Sequence, residues 1–206
     1  MNLVLATNND DKIKEIKYLL EDLPITIFSR NDFLEFPDVE ETGQTLKENA
    51  ILKAKTIAEF CDMPALADDT GLEVEALDGA PGIFSSRYAG NNASYADNVN
   101  KLIDEMSNVP KEKRSARFRC VIAVDWNDGN IETVEGVCQG YITEDVQGKQ
   151  GFGYDPVFYY PPKNKRFSQM TIEEKNIVSH RGLALQNMVD LLMEKVNKLR
   201  AAQGGE

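Results

Sequence analysis

The chain opens with a short apolar stretch, Asn2 to Ala6, that reads as a strand. A polar turn, Thr7-Asn8-Asn9-Asp10-Asp11-Lys12, follows, and then Ile13, Ile16, Leu19 and Leu20 fall on one face at helical spacing. The pattern next predicts a strand at Ile25 to Phe28 and a helix from Leu46 to Phe60 with Ile51, Ala54, Ile57 and Ala58 on its apolar side. Short strands are expected at Pro64 to Ala67 and Leu72 to Leu77, and a helix at Ala93 to Met106. The period then changes from helical to two. Phe118, Cys120, Ile122 and Val124 mark one buried face of an arm, Ala116 to Trp126, that pairs with Ile131 to Ile142 across Asn127-Asp128-Gly129-Asn130. Asp-Gly is a strong signal for a tight turn. A short strand at Val157 to Tyr160 and a Thr171-x-x-Glu174 capping box lead to a last helix with Leu185, Met188, Val189, Leu192, Val196 and Leu199 inward; Ala201 to Glu206 reads as a frayed tail. No repeat is visible. Early strand-helix alternation followed by a meander predicts an α/β protein with a mixed, strongly twisted sheet.

Candidate chemistry sits in four places along this frame. Between the two short strands stands Asp68-Asp69-Thr70-Gly71, which reads as a strand ending in an acidic turn that Gly71 permits. Neighbouring side chains of a strand point to opposite faces, so Asp68 and Asp69 can serve one ion only if the strand ends there. Carboxylates gathered at a strand end suit a hard cation such as Mg2+, although taken alone they read as a satisfied turn. The first polar turn, with Lys12 in the first helical turn, suits a phosphate chain; an ordinary N-cap built from Asn9 or Asp10 explains it equally, and no glycine-rich P-loop is present.

Glu40-Glu41-Thr42-Gly43 feeds the second helix, where Glu41 could join Asp69 at a metal, while Lys47 and Lys55 read as solvated charges beside Lys53. The fourth place is Gly151-Phe152-Gly153-Tyr154-Asp155-Pro156, then Lys175, then Ser179-His180-Arg181-Gly182. Glycines around Phe152 leave its ring open to a flat partner such as a stacked base, or alternatively form a hairpin with core aromatics. Ser179 as N-cap puts His180 and Arg181 beside the positive end of a helix dipole, an arrangement that an anion or carbonyl contact explains better than folding does.

Composition narrows the partners. The net charge of -11 weighs against nonspecific nucleic-acid binding, which depends on lysine and arginine patches. No apolar run approaches the ~20 residues needed to cross a bilayer, and Met1 to Leu5 reads as a strand rather than a signal peptide, so the expected location is the cytoplasm, with no membrane partner. Three cysteines, Cys61, Cys120 and Cys138, lack metal-binding spacing and read as buried reduced thiols.

Taken in order, these segments resemble the inosine triphosphatase family, pyrophosphohydrolases that act on inosine and xanthosine triphosphates and their deoxy forms. The resemblance runs from the first strand to the last helix. It is carried by Thr7-x-Asn9-x-x-Lys12, by Glu40-Glu41-Thr42-Gly43 with Glu48-Asn49-Ala50 and Lys53, and by Ala67-Asp68-Asp69-Thr70-Gly71-Leu72. Gly79-Ala80-Pro81-Gly82, Ser86-Arg87-Tyr88-Ala89-Gly90, Phe152-Gly153-Tyr154-Asp155-Pro156 and Lys175 with Ser179-His180-Arg181 complete it. Asp11 departs from it, standing where many relatives carry glycine; its extra carboxylate weakens phosphate binding unless it points to solvent.

The resemblance implies one elongated, two-lobed domain over residues 1–200, with the nucleotide in the cleft between lobes, and a homodimer. It further implies a purine nucleoside triphosphate bound by Thr7 to Lys12, Lys53, Thr70, Phe152 to Asp155, Lys175, His180 and Arg181. Mg2+, or Mn2+ in its place, is then held by Glu41, Asp69 and Asp68, with Asp69 and Asp68 catalytic. A pyrimidine or modified-nucleotide pyrophosphatase and a nucleotide sensor are the other readings. The intact acidic set of Glu41, Asp68 and Asp69 speaks against the sensor.

Overall fold

A computed structural model describes residues 1–148 and 150–203. The elements run β1 (Asn2–Leu5), α1 (Asp10–Leu19), β2 (Thr26–Phe28), α2 (Leu46–Cys61), β3 (Ala65–Val74), β4 (Pro81–Gly82), α3 (Tyr95–Glu105), β5 (Ser115–Asp125), β6 (Ile131–Ile142), β7 (Phe158–Tyr160), β8 (Lys165–Arg166), α4 (Ile172–Val178) and α5 (His180–Gln203). Among the described residues the strands form one mixed sheet in the order β2-β1-β3-β5-β6-β7-β8, with β4 on β3. β1 lies parallel to β2 and β3, whereas β4, β7 and β8 pair antiparallel with their neighbours.

The chain divides into two compact units. One comprises Met1–Asp69, Val121–Gly136 and Gly182–Glu206; the other comprises Thr70–Cys120 and Val137–Arg181. In the first unit Leu3, Val4 and Leu5 of β1 are fully buried, as befits a parallel strand with neighbours on both edges. Thr45 and Glu48 close a capping box at the start of α2, and Asp62 ends that helix in the left-handed conformation. Leu185, Met188, Leu192 and Val196 of α5 are buried as their spacing predicts, but Leu199 is 41% exposed. The inward stripe thus stops one turn early. The helix itself continues through Ala201 to Gln203, where a frayed tail was expected, because Ala and Gln are good helix formers and the first glycine is Gly204. Residues 204–206 of that expected tail lie outside the described residues.

In the second unit Leu72, Val74, Val99, Leu102, Met106, Phe118, Phe158 and Phe167 build the core. Ser94 caps α3, and Thr171 with Glu174 forms the predicted capping box of α4. The hairpin of β5 and β6 turns at Asn127 and Gly129, both with positive φ. Only β6 keeps strict alternation, with Cys138 and Ile142 in and Val137 and Tyr141 out. β5 is instead buried on both faces from Cys120 to Asp125.

The largest departure from expectation concerns β3. Two short strands separated by an acidic turn were predicted, yet a single strand of ten residues runs through Asp68, Asp69, Thr70 and Gly71. The turn signal failed because both carboxylates are buried and supplied with partners inside the fold.

Candidate active site

Asp68 and Asp69 obey the alternation of the strand that carries them. Lys12 Nζ of α1 lies 3.1 Å from Asp68 Oδ2, whereas Lys53 Nζ of α2 lies 2.8 Å from Asp69 Oδ1. Adjacent carboxylates are thus held by lysines from two different helices. Lys53 Nζ also lies 2.8 Å from Glu41 Oε1, so one ammonium joins the loop carboxylate to the strand carboxylate. The second oxygen of Asp69 accepts from Asn49 Nδ2 at 3.3 Å. Asn49 is wholly buried, and its Oδ1 accepts the Gly43 N–H at 2.8 Å.

The balance of charge in this centre is uneven. Glu41, Asp68 and Asp69 face Lys12 and Lys53, which leaves one negative charge in excess. Burial pushes the Asp69 carboxyl above its ordinary range, and Glu41 adds to the effect against the pull of Lys53 and Lys12. Burial opposes the charge on Lys53, but Asp69, Glu41 and Asp68 outweigh it and raise the ammonium's pKa. Among the described residues no three His, Cys, Asp or Glu side chains gather closely enough to hold a metal. The reason lies in the ion pairs, for Lys53 stands between Glu41 and Asp69 while Lys12 takes Asp68. The donor set nevertheless fits a hard divalent cation: it is all oxygen, and it carries an excess of negative charge.

The first polar turn is built as the N-cap alternative describes. Asn9 Oδ1 accepts from the N–H groups of Asp11 and Lys12 at 2.9 and 3.2 Å, and Thr7 Oγ1 accepts the Asn9 N–H at 3.2 Å. That cap puts Lys12 in the first turn of α1, in reach of Asp68. Asn8 donates to Asp38 at 3.0 Å, and Asp10 takes both of its contacts from Arg30 at 3.1 Å. These two side chains do not join the Lys12–Asp68 pair. The carboxylate of Asp11 is 41% exposed and stands 3.8 Å from Lys14, the solvent-facing placement that the departure at this position requires.

The second unit holds the aromatic and cationic residues. Lys175 Nζ lies 2.6 Å from Asp155 Oδ2, both side chains being buried, and the same carboxylate oxygen accepts the Phe152 N–H at 3.0 Å. One carboxylate therefore fixes both the cation and the loop. A Cβ on Gly151, whose φ is +77°, would run into that carboxylate, so this glycine serves the Asp155 contact rather than access to the ring. Lys175 Nζ stands 4.8 Å and Arg181 Cζ 5.5 Å from the centre of the Phe152 ring, with Tyr95 packed at 5.8 Å. Arg181 is 2% exposed and donates to Thr70 Oγ1 at 3.3 Å. His180 opens α5 as predicted, its imidazole stacked on Phe118 with ring centroids 4.4 Å apart. Tyr154 is a core residue whose hydroxyl donates to the Ser85 carbonyl at 2.8 Å. Gly153 completes the loop with a φ of +60°.

Asn49, quoted only within a motif, Phe118, read as one buried face of a strand, and Tyr95 were not among the expected site residues. For Asn49 a signal existed: a polar amide four residues before Lys53 shares its helical face. Tyr95 and Phe118 meet Phe152 and His180 only through tertiary packing.

A mixed α/β chain with a buried carboxylate–lysine centre and a cation–aromatic loop defines a class that known proteins make specific. The sequence pattern of the Ham1 family matches residues 3–191, and the chain belongs to that family, so the inosine triphosphatase resemblance stands. The dITP/XTP pyrophosphatase of Desulforamulus reducens is 47% identical over 192 residues, covering 93% of this chain and 96% of the relative. That of Geobacter sulfurreducens is 47% identical over 92% of this chain and 96% of its own length. Among solved structures, a HAM1 protein from Coxiella burnetii superposes with a TM-score of 0.85 at 44% identity, over 94% of this chain and 99% of that one. The Staphylococcus aureus Ham1 protein follows at 0.84 and 38% identity, over 95% and 100%.

Proposed function

We propose that this protein hydrolyses non-standard purine nucleoside triphosphates, namely ITP, dITP and XTP, to the nucleoside monophosphate and pyrophosphate. The observation that carries the reading is the Glu41–Lys53–Asp69 centre, a carboxylate pair held on one buried ammonium, in a chain closely similar to dITP/XTP pyrophosphatases. Thr7, Asn9 and Lys12, with the backbone of the turn through Asn8, Asp10 and Asp11, hold the triphosphate, and Lys53 supports it. Asp69, with Asp68 beside it in β3, orients a water and takes its proton as the water attacks the α-phosphorus, so that pyrophosphate leaves. Glu41 and Asp69 would hold Mg2+, or Mn2+, with Asp68 adding negative charge nearby, and the bound ion would neutralise charge on the phosphate oxygens.

In the second unit Phe152 stacks on the purine, and Lys175, His180 and Arg181 donate to its carbonyl oxygens. Hypoxanthine and xanthine present a 6-oxo acceptor where adenine presents an amino donor, so adenine leaves a buried donor unsatisfied and is rejected. Gly153, Tyr154 and Asp155 hold the loop, and Thr70 sits on Arg181.

The protein acts as a homodimer in the cytoplasm, without a nucleic-acid or membrane partner. The acidic balance supports the absence of nucleic acid, and among the described residues no helix is long and apolar enough to cross a membrane. Incubation with Mg2+ and, separately, the triphosphates of inosine, xanthosine, adenosine, guanosine and deoxyuridine tests the reading, with pyrophosphate and orthophosphate assayed independently. Pyrophosphate from the inosine and xanthosine compounds alone is expected. Orthophosphate overturns the site of attack, a pyrimidine preference the base assignment, and no turnover the activity.

A further inference from the structure

We propose that Asn49 is the positioning residue of the acidic centre: its side-chain amide locks the loop that carries Glu41 to the carboxylate of Asp69. This inference rests on the reading that Glu41 and Asp69 are the working carboxylates. Glu41 lies in a stretch without regular structure between Asp32 and Leu46, so nothing in its own backbone ladder fixes where its side chain stands. The end of that stretch is held by Glu48, whose Oε2 accepts the N–H groups of Gln44 and Thr45, and, nearest to Glu41, by Asn49, fully buried in the first turn of α2. Its Oδ1 takes the N–H of Gly43, two residues past Glu41, and its Nδ2 donates to Asp69 Oδ2.

Lys53, one turn further along α2, holds Asp69 Oδ1 and Glu41 Oε1. Asp69 is therefore gripped at each oxygen by a different residue of one helix, which leaves its carboxylate plane little freedom to rotate. The two grips differ in kind. Lys53 is a charge that can exchange its partners for a metal-bound pair, whereas the Asn49 amide is neutral and unaffected by charge balance. It keeps the geometry while the ion pairs rearrange. Gly43 belongs to the same device: a Cβ there would lie 2.6 Å from Asn49 Oδ1 and 2.8 Å from Glu48 Cβ, so only glycine lets the loop come close enough to be tied.

The test compares wild type, Asn49→Ala, Asn49→Asp and Gly43→Ala by two readouts. One is the kcat and KM for dITP; the other is the Mg2+ concentration that half-saturates thermal stabilisation of the nucleotide-free protein. Asn49→Ala is expected to lower kcat by about 10- to 100-fold and to raise the Mg2+ half-point by a similar factor, with little change in KM, the usual cost of losing a residue that orients a ligand. Asn49→Asp keeps the acceptor for Gly43 but loses the donor to Asp69. It should retain wild-type protection of the Gly43 amide from hydrogen exchange and still lose turnover, which a merely structural role would not produce. Gly43→Ala removes no side chain and carries the test should Asn49→Ala not fold; the same shifts, smaller in size, are expected. Values of kcat and Mg2+ half-point within about twofold of wild type in Asn49→Ala and Gly43→Ala would overturn the proposal. Should wild type release no pyrophosphate, the reading of function fails, and the Mg2+ titration alone decides the role of Asn49.

Discussion

The acidic centre of the first unit and the cation–aromatic loop of the second use the same devices, buried charges and short hydrogen bonds, to opposite ends. Around Lys175 one carboxylate meets one ammonium at 2.6 Å, with a second buried cation, Arg181, against the same Phe152 ring. Around Lys53 the carboxylates are in the majority, Glu41, Asp68 and Asp69 against Lys12 and Lys53. The first arrangement suits rigid recognition of a neutral, flat group. The second stores a surplus of negative charge that a cation relieves. Under the proposed function, specificity and turnover would rest on separate electrostatic footings.

Substitutions can break this contrast at either end, and the largest effect falls at Asp69. Asp69→Asn should lower turnover by about 10²- to 10⁴-fold, the range for loss of a general base, with circular dichroism unchanged; an active variant removes Asp69 from the role. At the cation–aromatic loop, Asp155→Ala removes the carboxylate paired with a buried ammonium and frees the Phe152 N–H, so a loss of about 3–5 kcal/mol in urea unfolding is expected. A loss within the range of an exposed pair would mean that water already reaches Lys175.

Selectivity offers a finer probe. Arg181→Leu should shrink the preference for dITP over dATP by about 10- to 100-fold, the worth of one charged hydrogen bond, while pyrophosphate release from dITP survives.

The surplus charge itself is measurable in metal-free protein. Because the folded state raises the Asp69 pKa, folding favours its protonated form; the cost of the charge is fully present above the folded pKa and vanishes as pH falls to the ordinary carboxylate range. Asp69→Asn should therefore melt higher than wild type near neutrality, with the gap closing as pH approaches 4. A lower-melting variant at neutral pH would mean that Lys53 more than compensates Asp69. The smallest effect belongs to Asp10→Asn, which breaks only the exposed pair with Arg30 and should change stability by less than about 1 kcal/mol, read from the same melts.

Much of this site was legible in the chain. Strand, turn and helix at the start, the capping box at Thr171, and the Asn127–Gly129 turn all emerge from local preferences that tertiary contacts leave intact. The glycines near Phe152 were legible as special, but their partner was not: Gly151 is required by the carboxylate of Asp155, four residues on, which no propensity reports. The acidic run was misread for a related reason. Asp and Gly are rare in strands, so a turn was the sound local inference, whereas partners arriving from two helices, Lys12 from one and Asn49 and Lys53 from the other, make a buried strand of those residues tolerable.

What the sequence determined by itself is the order of elements, the identity of the charged groups and the family to which they belong, because periodicity, capping and motif spacing are properties of neighbours along the chain. What only the tertiary structure decided is which charge meets which. Asp68 and Asp69 are adjacent in sequence and yet are held by different lysines, while Glu41 and Asp69, far apart in the chain, share one. Strand alternation turns neighbouring side chains apart, and lysines from two helices take one carboxylate each.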